Sequence, residues 1–273
     1  GSFIPITSVF PATTAAALTA YSTGLSPAAH GIIGYRLYLR ETGAITNMIH
    51  LSLVGTGNDD TAIAAGLDPD KLLRQPTLYE RLGSRGVATH TLLPRQISKS
   101  GLSKIFYRGS TAIHPTVSFP DMLVTGRRIL GRAENPTLLT IYWPSLDGVA
   151  HARGPDSDAY LAEALSIDGA IRRELVGRIE RTLIVVSSDH GFVPMEKSDY
   201  LSLSSLPGLD GAALLPPVGE PRASYLYLRN GSPDRLVKET PRLLEGGLLA
   251  LTAEGVIESG LLGRGQIHPE LKN

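Results

Sequence analysis

The chain contains no cysteine. Disulfides, thiolate metal sites and a cysteine nucleophile are therefore excluded, and any metal must be held by imidazole and carboxylate groups. An excess of charge is also lacking: 26 Lys plus Arg stand against 26 Asp plus Glu. A neutral chain with no basic run is not built to grip a nucleic-acid polymer or an anionic membrane through its overall field, so an anionic ligand must meet a local site. Nowhere is there an apolar run of the roughly 18 residues that a membrane-spanning helix needs. Gly1-Ser2-Phe3 offers neither the charged region nor the apolar core of a signal peptide, which leaves the compartment open. What is present is ordinary globular material. The 273 residues are 42% hydrophobic and 19% charged, enough for one large α/β domain or two small ones with a sizeable core.

Ile4 to Phe10 is apolar and β-branched and reads as a short strand or an entry loop. Pro11-Ala12-Thr13-Thr14 opens an Ala-rich stretch from Ala15 to Ser22 that closes at Thr23-Gly24, a helix with Thr at its start and Gly at its end. Further helices are predicted over Pro76 to Leu82, Asp121 to Arg132 and Ser157 to Ile179, with another over Pro233 to Leu244 that Pro241 weakens. Gly86 to Leu93 reads as a strand and Ser224 to Arg229 as an edge strand. Two short apolar runs, Leu138 to Trp143 and Leu183 to Val186, read as buried strands. With the 157–179 helix between them they predict a βαβ unit in a parallel sheet. The Pro-, Gly- and Ser-rich segments 94–117 and 192–222 are candidate cap or insert segments, and ordinary connecting loops fit them equally well.

Both predicted buried strands lead into acidic residues, and ligands of open α/β sheets bind beyond the carboxyl ends of the strands. After Trp143 comes Asp147-Gly-Val-Ala-His151, and after Val186 comes Asp189-His190-Gly191. Each segment supplies one carboxylate and one imidazole, about the donor set that two divalent cations require. An Asp and a His four apart reach one ion from a single helical turn, while the adjacent Asp189 and His190 need a sharp bend that Gly191 permits. Either motif alone is more often a simple turn; the pair together predicts a metal site. Thr14 stands at a helix start, where backbone N–H groups and the positive helix end favour an anion, but its hydroxyl needs activation to act as a nucleophile. From that segment alone, capping by Thr13 or Thr14 is the simpler explanation.

The segment Phe10-Pro11-Ala12-Thr13-Thr14-Ala15, followed by Tyr21-Ser22-Thr23-Gly24-Leu25-Ser26-Pro27-Ala28-Ala29-His30-Gly31-Ile32, resembles the nucleophile region of the type I phosphodiesterase/nucleotide pyrophosphatase family, a branch of the alkaline-phosphatase superfamily. The resemblance implies a three-layer αβα fold with a mostly parallel central sheet, in one catalytic domain covering 1–273. It implies Thr14 as nucleophile, Asp147 and His151 as ligands of one metal, and Asp189 and His190, together with Thr14, as ligands of a second. Two divalent ions follow, zinc by resemblance, with manganese also suited to such ligands. The implied reaction is hydrolysis of a small-molecule phosphate ester or nucleotide through a covalent phospho-threonine.

The sequence departs from the family in three places. The family's Asp on a first strand has no counterpart, since none of the thirteen residues before Thr14 is Asp. The family's late His, usually followed by Gly, is not matched by His268, which precedes Pro269. The chain is thus expected to be cut at both ends. The family's phosphate-holding Asn falls on Tyr35, whose hydroxyl, with Arg36 or Arg40 nearby, would have to serve as the substrate contact. Arg36 and Arg40 read slightly better as solvated surface, His30 reads as structural, and His50, His90 and His114 carry no motif. The alternatives are a phosphomonoesterase or phosphonate hydrolase of the same superfamily, or a non-catalytic binding domain with an incomplete site. A mutase of the superfamily would carry Ser in place of Thr14, and a sulfatase signature is absent.

Overall fold

Helix-capping chemistry and apolar spacing mark out most of the elements. The computed structural model describes residues 1–272 apart from 100, 203–211, 230–232, 235 and 239–247. In chain order it contains α1 (Thr14–Thr23), α2 (Pro27–His30), β1 (Arg36–Leu39), β2 (Ala44–Asn47), β3 (Ser52–Leu53), α3 (Thr61–Ala64), α4 (Pro69–Leu72), α5 (Leu78–Gly83) and β4 (Ala88–Pro94). There follow α6 (Ser103–Phe106), β5 (Ala112–Thr116), α7 (Phe119–Gly131), β6 (Thr137–Ile141), α8 (Ser145–Arg153), α9 (Asp158–Glu174), β7 (Val218–Glu220), β8 (Ala223–Tyr225) and α10 (Ala253–Ser259). The chain divides into two units, residues 1–67 with 196–273, and residues 68–195. Among the described residues no helix is long and apolar enough to cross a membrane.

The second unit is built on a parallel sheet of order β5-β4-β6. Alternation along the strands sends Leu92, Leu139 and Ile141 to one face and Thr91 and Thr140 to the other. The first face receives α7, whose Phe119, Met122, Leu123 and Gly126 recur at helical spacing and are buried. Gly126 lets the helix lie close, because a Cβ there would lie 2.8 Å from Leu139 Cδ2 and push that side chain aside. The same helix starts where a helix should: Ser118 accepts from the Asp121 N–H at 3.3 Å, and Asp121 accepts from the Val117 N–H at 3.0 Å. The opposite face receives α5, where Tyr79 donates to Thr140 Oγ1 at 3.2 Å and Thr77 and Glu80 form a reciprocal capping box. Helices therefore cover both faces of a parallel sheet, as expected for three αβα layers.

Several expectations need correction. Leu183–Val186 forms no strand, so the βαβ unit expected across α9 is absent. Leu183 and Val185 are 86% and 76% exposed. A strand exists only through its ladder partner, and among the described residues β6 pairs with β4 alone and leaves its other edge unmatched. Helix α9 stops at Glu174, short of Ile179. Of the two alternatives for Ile4 to Phe10, the entry loop is what the structure shows. Segment 94–117 contributes α6 and the sheet strand β5. The 192–222 segment and the 233–244 helix fall largely or partly outside the described residues.

The first unit holds an antiparallel sheet of order β3-β2-β1-β7-β8 that the sequence did not announce, apart from an edge strand where β8 lies. Its helical part packs α1 on α2. Gly24 and Gly31 close the two helices in the left-handed conformation. Gly31 has a second reason to lack a side chain: a Cβ would lie 2.6 Å from the ring of His268, whose backbone N–H donates to the Ala28 carbonyl at 2.7 Å.

His30 is fully buried beneath this contact. Its Nδ1 accepts from the Ile32 N–H at 3.1 Å, so the hydrogen sits on Nε2, which faces the Ala16 backbone without a well-formed hydrogen bond. Burial, opposed by Ala16 and reinforced by His268, lowers its pKa to about 4. The unfolded chain takes up that proton near pH 6.5, whereas the folded chain does so only near pH 4. Stability from this residue is therefore complete above pH 6.5 and lost as the pH falls toward 4, by up to about 3 kcal/mol. Urea unfolding at pH 7 and pH 4.5 should show a smaller loss of stability for His30→Gln than for the parent chain.

Candidate metal and phosphate site

Strand β6 ends at Ile141, and Tyr142, Trp143 and Pro144 lead directly into α8. Asp147 in the first turn of α8 and His151 one turn later share a helical face, with His151 Nε2 3.5 Å from Asp147 Oδ1. The second motif meets the first: His190 Nε2 lies 3.6 Å from the same Asp147 oxygen and 3.8 Å from Asp189 Oδ2. The side chains of the two Asp–His pairs thus approach one another pairwise in the second unit, although Asp189 and His190 arrive on an irregular segment and not from the end of a strand.

Asp147 Oδ1 is buried and has no hydrogen-bond partner. Burial raises the pKa of its carboxyl group, the His151 and His190 imidazoles pull it back, and Asp189 pushes it up again. The Tyr142 phenol, close to Asp189 and Asp147, is also held well above its ordinary value, chiefly by burial and then by these carboxylates. The separations of 3.5 and 3.6 Å are too long for hydrogen bonds. They are comparable to the spacing of about 3.3–3.6 Å between neighbouring tetrahedral ligands of one ion with bonds of roughly 2.0–2.2 Å. A buried carboxylate oxygen between two imidazole nitrogens offers donor types that suit a divalent cation. Among the described residues no group of three or more such side chains yet stands in a geometry that would hold an ion. The pairwise approaches are made, and a coordination shell is not closed.

Two features of this cluster come from Gly191, expected only to permit a bend, and from Phe192, to which the sequence assigned no role. The Gly191 carbonyl lies 3.1 Å from His190 Nδ1. A carbonyl can only accept, so Nδ1 carries the hydrogen and the lone pair on Nε2 is turned toward Asp147, the arrangement that fixes a metal-binding imidazole. Phe192 stands edge-on to both rings, 5.0 Å from His151 at 84° and 5.3 Å from His190 at 62°. Its position two residues after His190 was the only available signal.

Thr14 and Tyr35 belong to the first unit. Thr14 is the first residue of α1 and is half-buried. The N-cap position falls on Thr13, which is extended and makes no side-chain cap. Capping by side chain, the simpler explanation from sequence, is therefore not what Thr13 does. Tyr35 stands just before β1. Its hydroxyl accepts from Asn47 Nδ2 at 2.7 Å, and its backbone N–H donates to the Glu220 carboxylate.

A family model described as type I phosphodiesterase/nucleotide pyrophosphatase matches residues 1–245. The chain belongs to this family. No curated protein matches it. Its fold is similar to that of murine ectonucleotide pyrophosphatase/phosphodiesterase 5, with a TM-score of 0.62 at 17% identity over 93% of this chain and 65% of that one. It is also similar to phosphonoacetate hydrolase from Sinorhizobium meliloti 1021 in complex with phosphonoformate, with a TM-score of 0.61 at 21% identity over 96% of this chain and 69% of that one. The chain thus spans just under two thirds of the murine protein's length. Membership in the phosphodiesterase/nucleotide pyrophosphatase family accounts for the α/β fold, and these likenesses carry the fold alone.

If Phe192 holds the two imidazoles, Phe192→Ala removes two edge-on contacts of about 0.5–1.5 kcal/mol each. Nitrogen-15 spectra of the histidine side chains should then show His190 losing its single tautomer and both rings averaging. Unchanged ring signals would mean that the backbone alone orients them.

Proposed function

We propose that this chain is the catalytic domain of a metal-dependent phosphoric ester hydrolase of the phosphodiesterase/nucleotide pyrophosphatase type. The observation that supports this best is the convergence of His151 and His190 on the buried, unpartnered Asp147 oxygen. Asp147 and His151 would hold one divalent ion, and Asp189 and His190, with Thr14, a second. Zinc suits mixed imidazole and carboxylate ligands, and manganese would also be accepted. When bound, such ions neutralise phosphate charge and lower the pKa of a hydroxyl or water.

The chain's own groups perform the rest. Thr14 at the start of α1 presents its hydroxyl where the first N–H groups of the helix favour a phosphoryl oxygen. Oγ1 gives up its hydrogen and attacks phosphorus in line with the leaving oxygen, the P–O bond to that oxygen breaks, the leaving oxygen takes up a proton from solvent, and a phospho-threonine that keeps the second ester group of a diester is formed. Water then attacks phosphorus from the vacated side, the Thr14 P–O bond breaks, and the phosphate monoester leaves as the Thr14 oxygen regains its proton. His190 keeps its Nε2 lone pair on the site through the Nδ1–H held by Gly191, and Phe192 packs edge-on against both imidazole rings. Tyr35 contacts a phosphoryl oxygen. A phosphomonoesterase or phosphonate hydrolase is the second reading, favoured by one feature: Tyr35 stands where nucleotide pyrophosphatases carry Asn.

Thr14→Ala should reduce hydrolysis of bis(p-nitrophenyl) phosphate by at least about 10³-fold. Its divalent metal content, measured by plasma mass spectrometry, should remain near that of the parent. Asp147→Asn should lose metal and activity together. Undiminished turnover in the Thr14 variant would sink the nucleophile assignment. A panel of aryl phosphate monoester, diester and phosphonate substrates separates the two readings.

A further inference from the structure

The loop between α2 and β1 is tied down at every residue. The Ile32 N–H donates to His30 Nδ1 at 3.1 Å. The Ile33 carbonyl accepts from the Tyr225 hydroxyl at 2.8 Å. Gly34 lies flat against Gly219, where a Cβ would come within 2.8 Å of the Gly219 Cα. Tyr35 itself is held by its N–H on the Glu220 carboxylate and by its carbonyl, which accepts from the Met48 N–H at 2.8 Å. Three elements, α2, β7 and β8, and Met48 just beyond β2 therefore fix the backbone from which the Tyr35 ring projects. Connecting loops rarely carry so many restraints, and this one leads away from the helix pair that begins with Thr14.

The end of the ring is also held, in a way that fixes the direction of its proton. Asn47 is paired with Arg36 in the β1–β2 register. The His50 N–H faces Asn47 Oδ1 at a long 3.5 Å, and an NH₂ turned to that N–H would set donor against donor, so this face of the amide is the oxygen. The other face is then the NH₂, which donates to the Tyr35 hydroxyl at 2.7 Å. A phenol that accepts from an amide still has its own hydrogen to give. Among the described residues that hydrogen meets no acceptor. Tyr35 is only half-buried, so the O–H can turn outward to a ligand.

We infer that Asn47 is a positioning residue that orients the Tyr35 hydroxyl to donate to an anionic oxygen of a phosphoryl or phosphonyl substrate. This rests on the hydrolase reading for placing Tyr35 at the substrate. It goes beyond that reading in naming the residue that aims the proton, and in making a single neutral O–H donor, in place of an amide with two N–H groups, the device that this chain presents to the substrate oxygen.

An isosteric substitution tests the proton's direction. In Asn47→Asp the carboxylate can only accept, so it captures the Tyr35 hydrogen and removes it from the substrate. In Tyr35→Phe the hydrogen is absent altogether. Binding of phenylphosphonate, with zinc supplied, is measured by calorimetry, and kcat/KM is measured on bis(p-nitrophenyl) phosphate. Each single variant should weaken phenylphosphonate about tenfold or more, with a matching fall in kcat/KM. The double variant should be no worse than Tyr35→Phe, because there is no hydrogen left to capture. Unchanged binding in Asn47→Asp, strictly additive losses, or a fall in melting temperature without a fall in affinity would each overturn the inference, as would a parent chain that does not bind phenylphosphonate. The calorimetric cycle does not depend on turnover, so a Thr14→Ala variant that stays active would refute the nucleophile assignment and leave this result standing.

Discussion

A carboxylate oxygen removed from water and given no hydrogen bond is a costly thing to keep, and the second unit keeps one at Asp147. Much of that unit can be traced outward from it. The oxygen faces His151 because α8 places residues four apart on one side, and it faces His190 because Gly191 and Phe192 hold that ring from behind. Helix α8 packs on α9, α9 on α7, and α7 on β6 and β4 through Gly126 and its apolar neighbours. The cost of the unpaired oxygen is borne by this stack, and a cation placed among the same groups would offset it. Without the cation, burial and the nearby Asp189 raise the Asp147 pKa, and the two imidazoles limit the rise.

The first unit meets a different constraint, which is backbone geometry. Two left-handed glycines end α1 and α2, and the second of them lies under the His268 ring. The neutral, buried His30 then fastens the start of the 31–35 loop, and Tyr225, Glu220 and Met48 fasten the rest. Here stability comes from satisfied backbone groups and close approach, with only a small apolar contribution from the loop itself. Such a loop is suited to holding a polar group in one orientation, because rotation of Tyr35 would break contacts to several elements at once.

The sequence made legible those elements whose signals are local. Helices α1, α5, α7 and α9 declare themselves by cap residues and apolar period, and β4 and β6 by short apolar runs. The candidate ligands were legible as two Asp–His pairs, and in the structure their side chains approach one another pairwise, with no group of three that could hold an ion among the described residues. What was not legible depends on partners. Leu183–Val186 has the composition of a buried strand, but composition cannot supply the neighbouring edge that a ladder needs, and in the structure its side chains are exposed. Strand β5 was hidden in a Pro- and Gly-containing segment because its pairing with β4, and not its own pattern, makes it a strand. The antiparallel sheet was missed for a related reason: β3, β7 and β8 have two or three residues each, too few to show a period. Asn47, and the carbonyl role of Gly191 beyond the bend it permits, were invisible because each consists of a single hydrogen bond to a side chain that is itself recognisable.

These two kinds of signal divide the functional question along physical lines. Reaction class follows from groups whose chemistry is intrinsic: a hydroxyl at a helix start, and carboxylates and imidazoles that can hold hard or borderline cations. Such groups can be recognised wherever they occur, and substituting any of them changes the chemistry that is available. On the reading proposed above, substrate choice would follow from where one weak donor points, and that depends on neighbours far apart in sequence, as with Tyr35, Asn47 and Glu220. A family can keep the first set and vary the second at little cost to its fold, since exchanging one polar contact for another on a fixed loop disturbs no core. Tyr35 in place of Asn is a change of this second kind. It leaves the argument for phosphoryl chemistry intact, and it moves the question of substrate to the geometry of one hydroxyl and the amide that orients it.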